Sequence, residues 1–179
     1  MRSKNIVLLL SLALVLATSA PSQSKSASPR AAVQSFFNLL KSQKYDALYD
    51  FLPSDLQWQM TREQLAMSLK RLDAFLVIER LEIGRVQERK DFAVVDTTIY
   101  GKLRQPMKIN EEEIREGRVS GQQFLHRESG VWKVATADNR SQSFFLKRNP
   151  EFDEQFQLTR PKFEFRRNGQ WAAMGPKRQ

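Results

Sequence analysis

His126 is the single histidine of the chain, and imidazole is the side chain best suited to act as a base near neutral pH. Read as a strand, Ser120, Gln122, Phe124 and His126 share one face, so the ring could look into a pocket. No partner pattern stands beside it. There is no triad serine, no paired metal ligand and no cysteine. Asp96 and Tyr100 lie four apart on a second strand, in the stripe that also carries Phe92 and Val94. A carboxylate beside apolar neighbours can titrate high and serve as a base. The opposite stripe, Ala93, Val95, Ile99 and Leu103, is the more continuous apolar one, and if it forms the core Asp96 is solvated. Asn110, Glu111, Glu112, Glu113 and Glu116 offer oxygens, but a contiguous run lacks the alternating ligands and glycine turn of a calcium loop. These residues read as a solvated loop. No H-E-x-x-H, G-x-S-x-G or phosphate-cradling glycine loop occurs. No metal site and no cofactor are expected, and Asp96, Tyr100 and His126 are the only catalytic candidates.

The binding candidates are basic. Arg160, Lys162, Arg166 and Arg167, with Lys177 and Arg178, cluster around Phe163, Phe165 and Trp171. Cations interleaved with aromatics suit single-stranded nucleic acid or acidic glycans. The competing and preferred reading packs the aromatics inward and leaves the charges to guard an edge strand. The net charge is +9, and residues 140–179 hold nine basic against four acidic side chains. Such a field favours anionic partners, or solubility alone.

The elements that must position these groups can be read from period and punctuation. Ser28 can cap a helix whose first residue is Pro29, and Val33, Phe36, Phe37 and Leu40 follow helical spacing. A second helix carries Tyr45, Leu48, Tyr49 and Leu52 and ends at Pro53. A third opens with a Thr61–Gln64 capping box and a Met60–Leu65 staple. From Phe75 the period turns toward two, with Phe75, Val77, Leu81 and Ile83 on one face. The parity flips after Gly84, which predicts a β-bulge. Strands are predicted over 92–103, 118–127 and 131–137, the last two joined through Glu128-Ser129-Gly130. Asn168-Gly169 predicts a type I′ hairpin in which Trp171 faces Phe163 or Phe165. The short echo of Gln34-Ser35-Phe36-Phe37 in Gln142-Ser143-Phe144-Phe145 is not sustained downstream.

The first nineteen residues read as an address. A basic start, an apolar run over 6–17 and an Ala17-Thr18-Ser19 site match a cleaved secretory signal, too short for a membrane-spanning helix. Residues 20–28 read as a serine-rich flexible linker. The expected location is periplasmic or secreted, with no membrane anchor after cleavage. With no cysteine, the chain can carry neither a disulfide nor a thiol-linked lipid, and must be held together by its core.

Ala32-Val33-Gln34-Ser35-Phe36-Phe37-Asn38-Leu39-Leu40 with Lys44-Tyr45-Asp46-Ala47-Leu48-Tyr49, and later Gly130-Val131-Trp132-Lys133-Val134, resemble the nuclear transport factor 2-like superfamily. The resemblance covers 29–138 and implies an exported bacterial member. Its fold would be α+β: N-terminal helices on a curved, mostly antiparallel sheet, a cystatin-like cone. Residues 139–179 would form a basic extension with a β-hairpin. The superfamily hosts isomerases, dehydratases and binding modules in a pocket between helices and sheet, so fold leaves function open. Its isomerase branch uses a tyrosine hydroxyl in the first helix, where this chain has Phe36, which has no donor. The favoured expectation is a non-enzymatic binding domain for a small apolar ligand or an envelope protein. An isomerase or dehydratase using a cavity polar group is the alternative, and a binder of anionic polymers through the C-terminal hairpin is the second.

Overall fold

The computed structural model describes residues 28–109, 111–135 and 139–173. The signal segment, nearly all of the linker, Asn110, Lys177 and Arg178 lie outside the described residues. Helix α1 (Pro29–Lys41) begins as its sequence demands: the Ser28 hydroxyl accepts from the Ala31 amide at 3.2 Å. Its apolar stripe of Ala32, Val33, Phe36 and Phe37 is buried. The second predicted helix is shorter than expected. It divides into α2 (Tyr45–Leu48) and a 3-10 turn (Tyr49–Phe51), because Leu52 is already extended ahead of Pro53. Helix α3 (Ser54–Gln57) follows, then α4 (Arg62–Phe75). The α4 box is reciprocal: Thr61 Oγ1 accepts from the Gln64 amide at 3.2 Å and Gln64 Oε1 accepts from the Thr61 amide at 2.8 Å.

Six antiparallel strands follow: β1 (Leu76–Arg89), β2 (Phe92–Ile109), β3 (Glu112–Glu128), β4 (Val131–Ala135), β5 (Lys162–Arg167) and β6 (Gln170–Ala173). The sheet order is β1-β2-β3-β5-β6, with β4 also on β3. β3 holds β4 along 124–128 and β5 along 117–120. The bulge expected at Gly84 is a register shift between Ile83 and Val86. A second shift, between Ile78 and Arg80, was not foreseen. It moves Val77 off the face of Leu81 and Ile83, while Phe75 ends α4 and is 72 % exposed. Glu112, Glu113 and Glu116 belong to β3 rather than to a loop. They tolerate the strand because Arg167 Nε meets Glu112 at 2.6 Å and Arg166 meets Glu116 at 2.9 Å, while Ile114 is fully buried between them.

Strand alternation divides the sheet into two faces. The inner face carries Ala93, Val95 and Leu125 and packs under α1 and α4. The outer face carries Phe92, Val94 and Phe124 at one end, and two helices cover that end: α5 (Asn139–Arg148) and α6 (Pro150–Gln155). Phe145 and Phe152 are fully buried there, with Phe152 4.9 Å from the Phe124 ring and 5.5 Å from that of Phe92. The core therefore runs across position 138 into the C-terminal extension. The β5–β6 turn has Asn168 at φ 46 and Gly169 at φ 79, as a type I′ turn requires. Trp171 pairs with Arg166, so it lies on the outer face with Glu164 rather than against Phe163 or Phe165. Phe163 is left 54 % exposed.

Candidate functional site

Beyond the aromatic end, the outer face of β2 and β3 turns polar. Asp96 pairs with Gln122 and Thr98 with Ser120. Gln122 Nε2 donates to Asp96 Oδ1 at 3.3 Å, and the two hydroxyls of Thr98 and Ser120 sit 3.1 Å apart. These four side chains floor an open groove of about 570 Å³. One wall is the β1 bulge. Arg30 reaches from α1 to hold it, donating to the carbonyls of Ile83 at 3.1 Å and Gly84 at 2.7 Å. A side chain at position 84 would begin 3.3 Å from Asp96 Cβ, so glycine lets the wall approach the floor. Arg85 leans over that floor, its Nε 3.4 Å from Asp96 Oδ2.

The opposite wall is the chain that leads from α6 into β5, with Thr159, Arg160 and Lys162. Gln122 fixes it from below: its Oε1 accepts from the Thr159 amide at 2.9 Å and its Nε2 donates to the Gln157 carbonyl at 3.4 Å. Lys162 pairs with Glu164 at 2.8 Å. Arg160 is exposed and forms no ion pair among the described residues. Past the groove, Arg80 lies 3.7 Å over the Tyr100 ring and Arg118 4.7 Å over that of Trp171, with the two rings edge to face at 5.8 Å. Hydrogen bonds from Arg118 and then Lys162 hold the Glu164 carboxyl below the usual carboxylate range.

The three catalytic candidates share the outer face but do not converge. Asp96 is in the groove, ion-paired and hydrogen-bonded. Tyr100 lies one polar pair further along and donates to Glu82 Oε2 at 2.8 Å. His126 pairs with Phe92, four residues from Asp96, or about 13 Å at the strand rise of about 3.3 Å. The aromatic cluster of α5 and α6 covers the strand between them. His126 stacks on Phe92 at 4.9 Å and approaches Glu128 Oε1 at 3.3 Å. Burial pushes the Glu128 carboxyl up, but donors from His126 and Ser54 outweigh it and hold the group below its usual range.

Of the binding candidates, Arg160 and Lys162 line the groove, while Arg166 and Arg167 are spent on Glu116 and Glu112. Trp171 closes the far end. Arg85 and Thr98 escaped sequence reading, and Ser120 and Gln122 entered it only as sharers of the His126 face. Their signal was polar alternation on the 96–98 and 120–122 stripes, together with the Gly84 bulge. The inner face offers little space of its own: Val33, Phe36, Leu48, Leu52 and Leu56 fill it, each at most 5 % exposed. Among the described residues no cluster of His, Asp and Glu could hold a metal ion, and no helix is long and apolar enough to cross a membrane.

No family model matches this chain, and no curated protein matches its sequence. Solved structures do resemble it. A SEC-C motif containing protein from Rhodopseudomonas palustris matches at TM-score 0.48 and 12 % identity, over 63 % of this chain and 78 % of its own. A Campylobacter jejuni protein described as an NTF2-like transpeptidase matches at 0.39 and 15 %, over 59 % and 95 %. An NTF2-like protein with a cystatin-like fold from Novosphingobium aromaticivorans matches at 0.37 and 10 %, over 64 % and 84 %. The fold itself is α+β, four leading helices and a 3-10 turn on an antiparallel sheet. Leading helices on a curved antiparallel sheet are the architecture that the resemblance implies.

Proposed function

We propose that this chain is an exported, non-enzymatic binding domain that holds an anionic polymer of the cell envelope on the outer face of its sheet. One observation carries the reading. Arg85, Arg160 and Lys162 stand on opposite walls of a groove floored by Thr98, Ser120, Gln122 and Asp96; Arg85 answers Asp96 and Lys162 answers Glu164, while Arg160 has no acid partner among the described residues. An enzyme would need two of its polar groups at one point, and Asp96, Tyr100 and His126 are dispersed. A small apolar ligand would need space that core side chains occupy. The basic hairpin itself is a poorer binder than its sequence suggests, since Arg166 and Arg167 already have partners.

The test is a titration of the purified protein with heparin and polygalacturonate over a range of salt. Binding should weaken steeply as salt rises, because counterions are released on association. The triple variant Arg85→Ala, Arg160→Ala, Lys162→Ala should lose it. Salt-insensitive binding, or none, ends the proposal. A protein partner on the inner face is the second reading, favoured by the exposed Phe163 beside Val119, one pair from the end of the β3–β5 register.

A further inference from the structure

We infer that the anionic partner is a hydroxyl-rich acidic glycan, bound one or two sugar units at a time with its carboxylate at Arg160; this rests on the groove being the binding surface. Charge alone would not need the floor described above. Thr98 and Ser120 put hydroxyls on two neighbouring strands, and each can both donate and accept, while the buried Gln122 amide, spent on Asp96, Gln157 and Thr159, fixes the wall beside them. The hydroxyl pair is the complement of a polyol, whose own hydroxyls do the same. The guanidinium of Arg160 is planar and can take a carboxylate through two parallel hydrogen bonds. Arg85 and Lys162, each already near an acid, would act as flanking donors.

Two features speak against nucleic acid. Single strands gain much of their affinity by stacking bases on open aromatic faces. Here Arg80 covers a face of Tyr100 and Arg118 a face of Trp171, and the two rings take up each other's edges. The groove is also short. Its floor is stopped at Val94 and Phe124 by the α5–α6 aromatics and at Tyr100 and Arg118 by Trp171. Six residues of strand separate Val94 from Tyr100, about 20 Å at the usual rise, and the bounding side chains occupy part of that. A nucleic-acid strand would find no open ring along so short a floor on which to stack its bases, while one or two acidic sugars of a longer chain fit inside it.

The experiment is calorimetric titration with tetragalacturonate, neutral maltotetraose and an oligothymidylate carrying the same charge as the uronate. Tetragalacturonate should bind, and the other two should bind at least tenfold more weakly. Arg160→Ala should weaken uronate binding about tenfold, the value of one charge-assisted contact. Arg160→Lys keeps the charge but not the planar fork and should still lose about threefold. The pair Thr98→Val, Ser120→Ala removes the hydroxyls and no charge. It should weaken binding about tenfold without changing the salt slope, with a thermal melt confirming its fold. If the oligothymidylate binds as tightly as the uronate, or if both Arg160→Lys and the hydroxyl pair bind like wild type, the glycan inference fails and the anionic surface stands. If no anion binds, or if binding survives loss of Arg85, Arg160 and Lys162 together, both fail.

Discussion

Arg160 and His126 illustrate how differently two conspicuous side chains can be used. Arg160 is exposed at the rim of a groove and unanswered by any acid among the described residues. His126 is already spent: it covers Phe92 and bonds Glu128, whose carboxylate in turn accepts from the Ser54 amide at 3.0 Å. His126→Ala should leave polyanion binding within twofold of wild type. It should lower stability by about 1 kcal/mol, the usual value of an aromatic stack. Paired melts and titrations check this, and lost function with an unchanged melt would restore the catalytic reading. The polar alternation that placed Asp96 on one face was legible, because period two is a property of any strand. Its neighbours were not. Arg85 meets Asp96 only because Arg30, more than fifty residues away in sequence, clamps the bulge between them, and no local pattern encodes that reach.

The C-terminal helices and hairpin are less an appendage than a wall of the molecule. Phe145 and Phe152 are buried against β2 and β3, and truncating a core phenylalanine costs ~3–5 kcal/mol. Against a typical total of ~5–15 kcal/mol, a chain ending at position 138 should lose its cooperative melt. Trp171→Ala should be milder, about 1–2 kcal/mol, from one ring pair and one cation contact. Docking of the hairpin should also depend on pH. The Glu164 carboxyl is depressed in the folded state, so its stabilisation is complete above the ordinary glutamate range near 4.3. It is lost as pH falls through the depressed value, and Glu128 adds in the same direction. Melting temperature should therefore fall steeply below about pH 4, and Glu164→Gln should flatten that part of the curve. A Glu164→Gln profile that matches wild type would remove the ion pair from the hairpin's support. The hairpin turn was plain in Asn168-Gly169, whereas α5 and α6 were not. The echo of Gln34-Ser35-Phe36-Phe37 in Gln142-Ser143-Phe144-Phe145 lies on a helix both times. In α5 the segment is too short for a second turn of apolar residues to declare the period.

Taken as one body, the chain binds its halves without covalent help, since it contains no cysteine. That suits an oxidising compartment as well as a reducing one. The product in the envelope should begin at or near Ala20, and N-terminal sequencing that finds Met1 retained would overturn the export proposal. The overall architecture was legible because capping, helical stripes and long period-two runs agree with one another along 29–135. What sequence could not convey was which face of the sheet stays open. That depends on where a later segment folds back, and the covering residues, 141–156, carry few of the usual signals.

The divided edge of β3 has one more consequence. β4 and β5 dock on the same side of that strand at different heights, and the chain between α6 and β5, residues 157–161, lies outside any helix or strand and contains Pro161. A hairpin held by such a tether meets identical backbone partners on any neighbouring copy. Crowding the protein at high concentration should thus favour reciprocal exchange of β5–β6 between two molecules. Each groove would then be walled by residues from both chains, so that the site persists in the exchanged dimer while its two walls belong to different polypeptides.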